Sequence, residues 1–403
     1  MTEARPRSTR PRDRKQQIVA AASEQFRASG FHNVGISDIA EAVGISGPAV
    51  YRHFRGKQEL LHATLVDAID KNTQPFQGEY GDLREMLDAV AGAMLERRHT
   101  GVLWERELAH LPPEQRQELR TRYIATIEPL RTAMAAARPD LTAGGVELLL
   151  RAVIAVFATM SQHAGKVEPA RARRLMTDLA VVLSEFRGLT ADADADAAEA
   201  RRRSVPRGRL LPVSRREAVL AVATRLFAER GYEAVGMEDI AAAAGGMAGP
   251  SLYHHFAGKS AILVAALTRC LEAMLFDLSA ALEYAEEPGQ ALDGALHSFV
   301  RISIQHGDAM RALLHEIVNV PAEERQSVRR MQHDYVTEWT ALVSGHRPEL
   351  SSAEAELLTH TAHTVVTTLS QGDELWTRRA LRREIVALGR TVLGLPADVP
   401  AED

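Results

Sequence analysis

Two clusters of hydrogen-bonding and cationic residues recur in this chain with the same spacing. Tyr51-Arg52-His53-Phe54 is followed by Gly56-Lys57, and Tyr253-His254-His255-Phe256 by Gly258-Lys259. Tyrosine and histidine donate hydrogen bonds to phosphate oxygens, and a lysine at a helix N-terminus adds charge where backbone N–H groups already favour an anion. The chemistry these residues suit is phosphate contact rather than catalysis. No GxSxG, P-loop, GxGxxG after a strand, or HExxH motif is present. His360 and His363 stand three apart on a predicted helix, a spacing a metal site can use, but no cysteine or carboxylate completes a set. No catalytic residue, cofactor or metal is expected.

The clusters belong to a much longer repeat. Ile18 to Phe26 aligns with Val219 to Phe227, Gly30-Phe31 with Gly231-Tyr232, and Asp38-Ile39-Ala40 with Asp239-Ile240-Ala241. After one inserted residue the two clusters themselves fall into register. Further on, Glu107 pairs with Glu316, Pro112 with Pro321, Arg138-Pro139-Asp140-Leu141 with Arg347-Pro348-Glu349-Leu350, Glu147-Leu148-Leu149 with Glu356-Leu357-Leu358, and Ser161-Gln162 with Ser370-Gln371. The duplicated unit is thus a whole two-part protein and not only its head. Between the copies lies an acidic stretch, Ala191 to Asp196, then seven arginines from Arg201 to Arg216 with no acidic residue among them. Pro206 and Pro212 keep that stretch from forming a continuous helix. Both copies therefore begin behind a cationic arm suited to phosphate or minor-groove contact.

The elements that must position the clusters follow from periodicity and punctuation. Ile18, Ala22 and Phe26 recur on one helical face, as do Val219, Ala223 and Phe227. Gly30 and Gly231 end these helices. A short second helix is predicted over Ile36 to Val43 and Met237 to Ala244, with Gly35 or Gly236 at the N-cap, Asp38 or Asp239 at the third position, and a stop at Gly44 or Gly245. A third helix begins near Pro48 or Pro250, after a tight turn. This is the helix-turn-helix pattern.

Gly44 to Phe54, followed by Gly56 to Leu61, resembles the recognition-helix signature of the TetR/AcrR family, and Gly30-Phe31 and Asp38-Ile39-Ala40 are similar to its other landmarks. The resemblance implies that Ser46 to Arg52 enter the major groove, with Ser46, Gly47, Pro48, Ala49 and Arg52 near the bases and Ser37 beside them. It implies that Tyr51, His53 and Lys57 hold phosphates. The matching residues of the second copy are Ala248, Gly249, Pro250, Ser251 and His254 for reading, with Tyr253, His255 and Lys259 for phosphates. The heads differ: Arg52 is replaced by His254, Ala49 by Ser251 and Ser37 by Glu238, and the second turn is one residue longer. Arginine pairs well with guanine, whereas neutral histidine or serine is less selective, so an asymmetric double-stranded operator is expected.

Behind each head the pattern is helical throughout, so the expected fold is all-α: two tandem units, each a helix-turn-helix head with a helical regulatory bundle. The expected boundaries are a basic arm over 1–14, a first head over 15–61 and its bundle over 62–188. A linker over 189–213, a second head over 214–263, its bundle over 264–395 and a tail over 396–403 complete the chain. Two long apolar helices close each copy, Gly145 to Ala164 with Arg171 to Phe186, and Ala353 to Gly372 with Arg378 to Leu393. In the family such helices form the dimer interface. Here they imply an intramolecular pseudo-dimer, because the linker keeps the second copy at high effective concentration, with a further homodimer left open. The heads of such a dimer would meet successive major-groove faces, ~34–36 Å apart. The family also implies a small-molecule effector bound within the bundles. Met94, Trp104, Glu107, Met134 and Phe157 are the candidate lining of the first, with Met274, Phe276, Glu316, Trp339 and Trp376 in the second. The same side chains serve equally as plain core, and the two glutamates as a buried polar contact.

Composition bounds the rest. The chain has 403 residues, 46% hydrophobic and 25% charged, with a formal net charge of −5, enough for several packed domains. Cys270 is the single cysteine, which excludes an internal disulfide and suits the cytoplasm. The basic N-terminus lacks the apolar stretch of a signal peptide, no membrane association is expected, and the most apolar stretch, Leu148 to Met160, is interrupted by Arg151. Two function classes remain: a ligand-responsive regulator, most simply a repressor, or a sensory module in which only the first head binds DNA and the second copy supplies the dimer-like interface.

Overall fold

Ile18, Ala22 and Phe26 are each wholly buried, so the spacing that sets them on one helical face also builds the first core. The computed structural model describes residues 11–31, 33–96, 107–189, 212–246, 249–371, 375, 378 and 380–396. Among the described residues there are helices and turns and no strand.

The first head consists of α1 (Pro11–Ser29), α2 (Ile36–Val43) and α3 (Gly47–Tyr51), followed by α4 (Lys57–Thr73). The Asp38 carboxylate reaches back 2.7 Å to accept the Gly35 N–H, satisfying one donor at the α2 N-terminus where the helix dipole favours negative charge. Gly44 closes α2 in the left-handed region at φ 68°, which spares any Cβ the clash that conformation brings. Pro48 occupies the first turn of α3, where a missing N–H costs nothing. Val50, Phe54, Leu60, Leu61 and Leu65 complete the core against α1. The chain continues through α5 (Leu83–Glu96) and α6 (Pro113–Ala137).

The chain divides into two compact units at Leu130 and Arg131. The second unit takes in the end of α6 and continues with α7 (Ala143–His163) and α8 (Pro169–Ser184). The second head follows as α9 (Arg215–Arg230), α10 (Met237–Ala243) and α11 (Gly249–Tyr253). Asp239 caps the Gly236 N–H at 2.8 Å as Asp38 does its own. Helix α10 ends at Ala243, with Ala244 as its C-cap one residue before the expected glycine, and Gly245 and Gly246 both take positive φ, 95° and 72°. The inserted residue is absorbed by a second left-handed glycine rather than by lengthening the helix.

The second bundle comprises α12 (Lys259–Glu283), α13 (Pro288–Gln305), α14 (Gly307–His315), α15 (Ala322–His346), α16 (Ser352–Ser370) and α17 (Leu381–Leu393). Its interior gathers Phe299, Tyr335 and Trp339, with the His363 imidazole 4.6 Å from both the Phe299 and Trp339 rings. Helix α7 packs along α16, and α8 against α17. In this way the closing helix pair of the first copy meets that of the second. Arg171 pairs with Glu354, Lys166 donates to both oxygens of Glu356 at 2.7 and 2.9 Å, and the His163 and His360 rings stack at 3.6 Å. The Ser351 hydroxyl, its N–H and the Arg171 guanidinium together hold the Glu354 carboxyl down to about 2. By length and composition α7 could cross a membrane, but most of it is buried in this packing.

Candidate nucleic-acid interface

Each head hides one side of its third helix and exposes the other. Val50 and Phe54 are buried in the first copy, Leu252 and Phe256 in the second. Between them Tyr51 and Tyr253 stand out, each 57% exposed. A large ring left in water at the same place in two diverged copies contributes little to folding, so the fold does not account for it. Around Tyr51, the side chains of Ser46, Pro48 and Arg52 are exposed, with Gly47, Ala49 and His53 half-exposed, and Ser37 projects from α2. In the second copy His254 is exposed and Ser251 and His255 half-exposed. Ala248 lies outside the described residues, as do the side chains of Gly249 and Pro250. Ser46, Pro48, Tyr51 and Arg52 are thus open to solvent in the first head, as are Tyr253 and His254 in the second.

The lysines are placed less simply than their position at a helix start suggests. Lys57 is the first residue of α4, but its ammonium lies 4.4 Å from the centre of the Phe31 ring. Partial burial draws its pKa down, opposed by the charges of Glu107 and Asp38. Lys259 lies 4.0 Å over the Tyr232 ring and donates to the Tyr232 carbonyl at 2.9 Å. Both lysines are half-buried beside the turn that joins the first two helices of the head. The start of each head's first helix is tied down similarly, Lys15 lying 5.2 Å over Phe54 and Arg216 4.9 Å over Phe256.

A family model described as "Bacterial regulatory proteins, tetR family" matches residues 18–64 and 219–266, the two heads. The regulator TtgW of Pseudomonas putida is 33% identical over 97 residues, 24% of this chain and 72% of TtgW. This chain belongs to the TetR family. It is also similar to the transcriptional activator FasR of Mycolicibacterium smegmatis, 44% identical over 61 residues, covering 15% of this chain and 28% of FasR. The repressor KstR2 of the same organism is 36% identical over 96 residues, covering 24% of this chain and 46% of KstR2. The chain therefore spans less than half the length of those two relatives. TetR-family proteins are DNA-binding transcriptional regulators and not enzymes, and the exposed faces described above lie on the heads the family model matches.

Of the candidate effector-lining residues of this TetR-family chain, Met134, Phe157, Met274 and Trp339 are buried, and Met94 is half-buried. Trp104 and Trp376 lie outside the described residues. Phe276 does not line the interior: it is 76% exposed. Leu267, Leu271, Met274 and Leu278 turn inward along α12, and a residue two beyond Met274 falls about 200° round the helix, on the outer face. Glu107 and Glu316 are buried but face the heads. Glu107 accepts the Phe31 N–H at 3.2 Å, and the Tyr232 N–H favours the charged form of Glu316. The part played by Phe31 and Tyr232 escaped the sequence reading. The one available signal was that each follows a repeated glycine and that a glutamate recurs at the matching place further along each copy.

Proposed function

We propose that the chain is a ligand-responsive repressor acting in the cytoplasm as its own dimer, reading an operator of two unlike half-sites with its two heads. The observation that carries this reading is the packing of α7 and α8 on α16 and α17, the closing helices of one copy on those of the other. The ion pairs Arg171–Glu354 and Lys166–Glu356 cross the same contact. A second chain is then not needed to bring two heads to one operator. The differences between Arg52 and His254, and between one left-handed glycine and two in the turns, support two distinct half-sites.

The effector is an apolar, lipid-like or acyl metabolite in this reading, and the ring-lined interior of the second bundle around Phe299, Tyr335 and Trp339 supports it. The tandem arrangement, Val102 to Glu107 and Ala248 to Tyr253 resemble the double-TetR repressor of a mycobacterial mammalian-cell-entry lipid-transport operon, which points to target genes of lipid handling.

The test is binding of the full chain to a duplex enriched from a random pool, across a salt series. Tyr51→Ala and Lys57→Ala should each weaken binding, and so should Tyr253→Ala and Lys259→Ala. Light scattering should give the mass of one chain on one duplex. A second reading is favoured by the longer turn at Gly245-Gly246: only the first head touches DNA. It is the correct one if the substitutions in the second head leave affinity and salt slope unchanged.

A further inference from the structure

Each head is joined to the region behind it by the same polar assembly, built in both copies from different residues. In the first, Glu107 is 2% exposed and its carboxylate accepts the Phe31 N–H. That N–H belongs to the buried residue after Gly30, which leaves α1 at φ 80°. One bond from Glu107 thus fixes the ring of Phe31, and on that ring rests the Lys57 ammonium. His110 stacks on the same ring at 5.6 Å and brings its Nε2 within 3.5 Å of Glu107.

In the second copy the Tyr232 N–H favours the charged form of the buried Glu316, Tyr232 follows Gly231 at φ 81°, and Lys259 rests on the Tyr232 ring. Asn319 stands where His110 does and donates to Glu316 at 2.6 Å. Burial pushes the Glu316 carboxyl up, while Asn319 and the Tyr232 N–H favour its charge. The ring, the glutamate's neighbour and the recognition residues have all changed between the copies, yet glutamate, backbone N–H, ring and lysine keep their order.

The position of the lysine explains what the arrangement does. A free lysine side chain samples many rotamers, and ordering one at a phosphate costs conformational entropy. A ring platform holds the ammonium at the α4 or α12 N-terminus before DNA arrives. The carbonyl of Tyr232 uses one of the three donors of Lys259, leaving two for a phosphate. We propose that Glu107 and Glu316 are positioning residues for DNA binding: through the backbone N–H of Phe31 and Tyr232 they hold the rings that aim Lys57 and Lys259 at the phosphate backbone. This rests on the reading above that the two lysines contact phosphate.

The experiment measures affinity of the full chain for the enriched duplex against salt concentration. Lys57→Met should reduce the magnitude of the log K versus log salt slope by about one. Glu107→Ala should reduce it to the same extent and weaken binding about five- to tenfold, while Glu107→Gln, whose amide oxygen still accepts the N–H, should keep both at the wild-type value. Glu107→Ala should add nothing in the Lys57→Met background, and the Glu316 and Lys259 variants should behave alike. Phe31→Leu removes the platform and keeps the N–H, so it should flatten the slope even if Glu107→Ala fails to fold. A glutamate with a merely structural role would lower affinity with the slope unchanged and add to Lys57→Met; either result overturns the proposal. So does a full slope in Phe31→Leu. If Lys57→Met itself retains the wild-type slope, the lysine–phosphate reading fails and this inference with it.

Discussion

Arg378 and Glu384 form a bidentate pair with side chains only 3% and 1% exposed, joined by bonds of 2.7 and 2.6 Å. Two charges removed from water so completely hold each other in place, and neither is tolerable alone. Glu384→Ala is expected to cost about 3–5 kcal/mol in urea unfolding, and a double replacement by apolar residues of similar volume should recover most of it. The Arg390–Asp293 pair has the same fork geometry, but Asp293 is 31% exposed, so its loss is expected to cost less. A second contrast checks the phase of α12. Met274→Ala should cost about 2–5 kcal/mol as a core truncation, while Phe276→Ser on the outer face should stay within about 0.5 kcal/mol. A large loss at Phe276 would mean that the face is covered.

Among the elements, the two turns test how far local rules reach. Gly44 takes φ 68° with open space where its Cβ would be, so Gly44→Ala meets backbone strain and no clash. It should cost about 1–2 kcal/mol in unfolding free energy, and the second copy's turn, with two such glycines, should lose that much at each. Equal stability of the alanine variant would show that the turn adopts another conformation. The helices of the heads were legible because each carries its own punctuation: a glycine and an aspartate at the start of the second, a proline in the third, and Ile18, Ala22 and Phe26 at four-residue steps in the first. Where α10 ends was not legible, since Ala244 and Gly245 are both able to close a helix and the extra residue decides between them only in the folded turn. The open face around Tyr51 could be read from the repeat, but the direction of Lys57 could not. A lysine's charge says that it seeks an anion. Only the packed position of Phe31, set by a glutamate far along the chain, says where the ammonium rests meanwhile.

For the whole molecule, the contact between the copies carries a built-in sensitivity to acid. The His163 ring on α7 stacks on His360 of α16, and His363 lies one turn further along α16 among the interior rings. Burial, with the neighbouring histidine and Lys166 adding to it, holds His163 down to about 3. His363 is held down to about 3 by burial first and then by His360 and His163. Burial also lowers His360, opposed by Glu356, whose carboxylate lies 4.0 Å away but is shared with Lys166. These imidazoles stay neutral in the folded chain, whereas in the unfolded chain they titrate near 6.5. As pH falls below about 6.5 the unfolded state takes up protons that the folded state refuses, so stability is fully present above that value and drains away toward pH 3. The urea midpoint should therefore drop between pH 7.5 and pH 5, and His163→Gln with His360→Gln should make the drop shallower. The acid-weakened contact is the one by which the copies hold each other, so protease cleavage between them at pH 5 should precede loss of helix in the heads. Midpoints that fall in parallel for wild type and the double variant would place the acid sensitivity elsewhere.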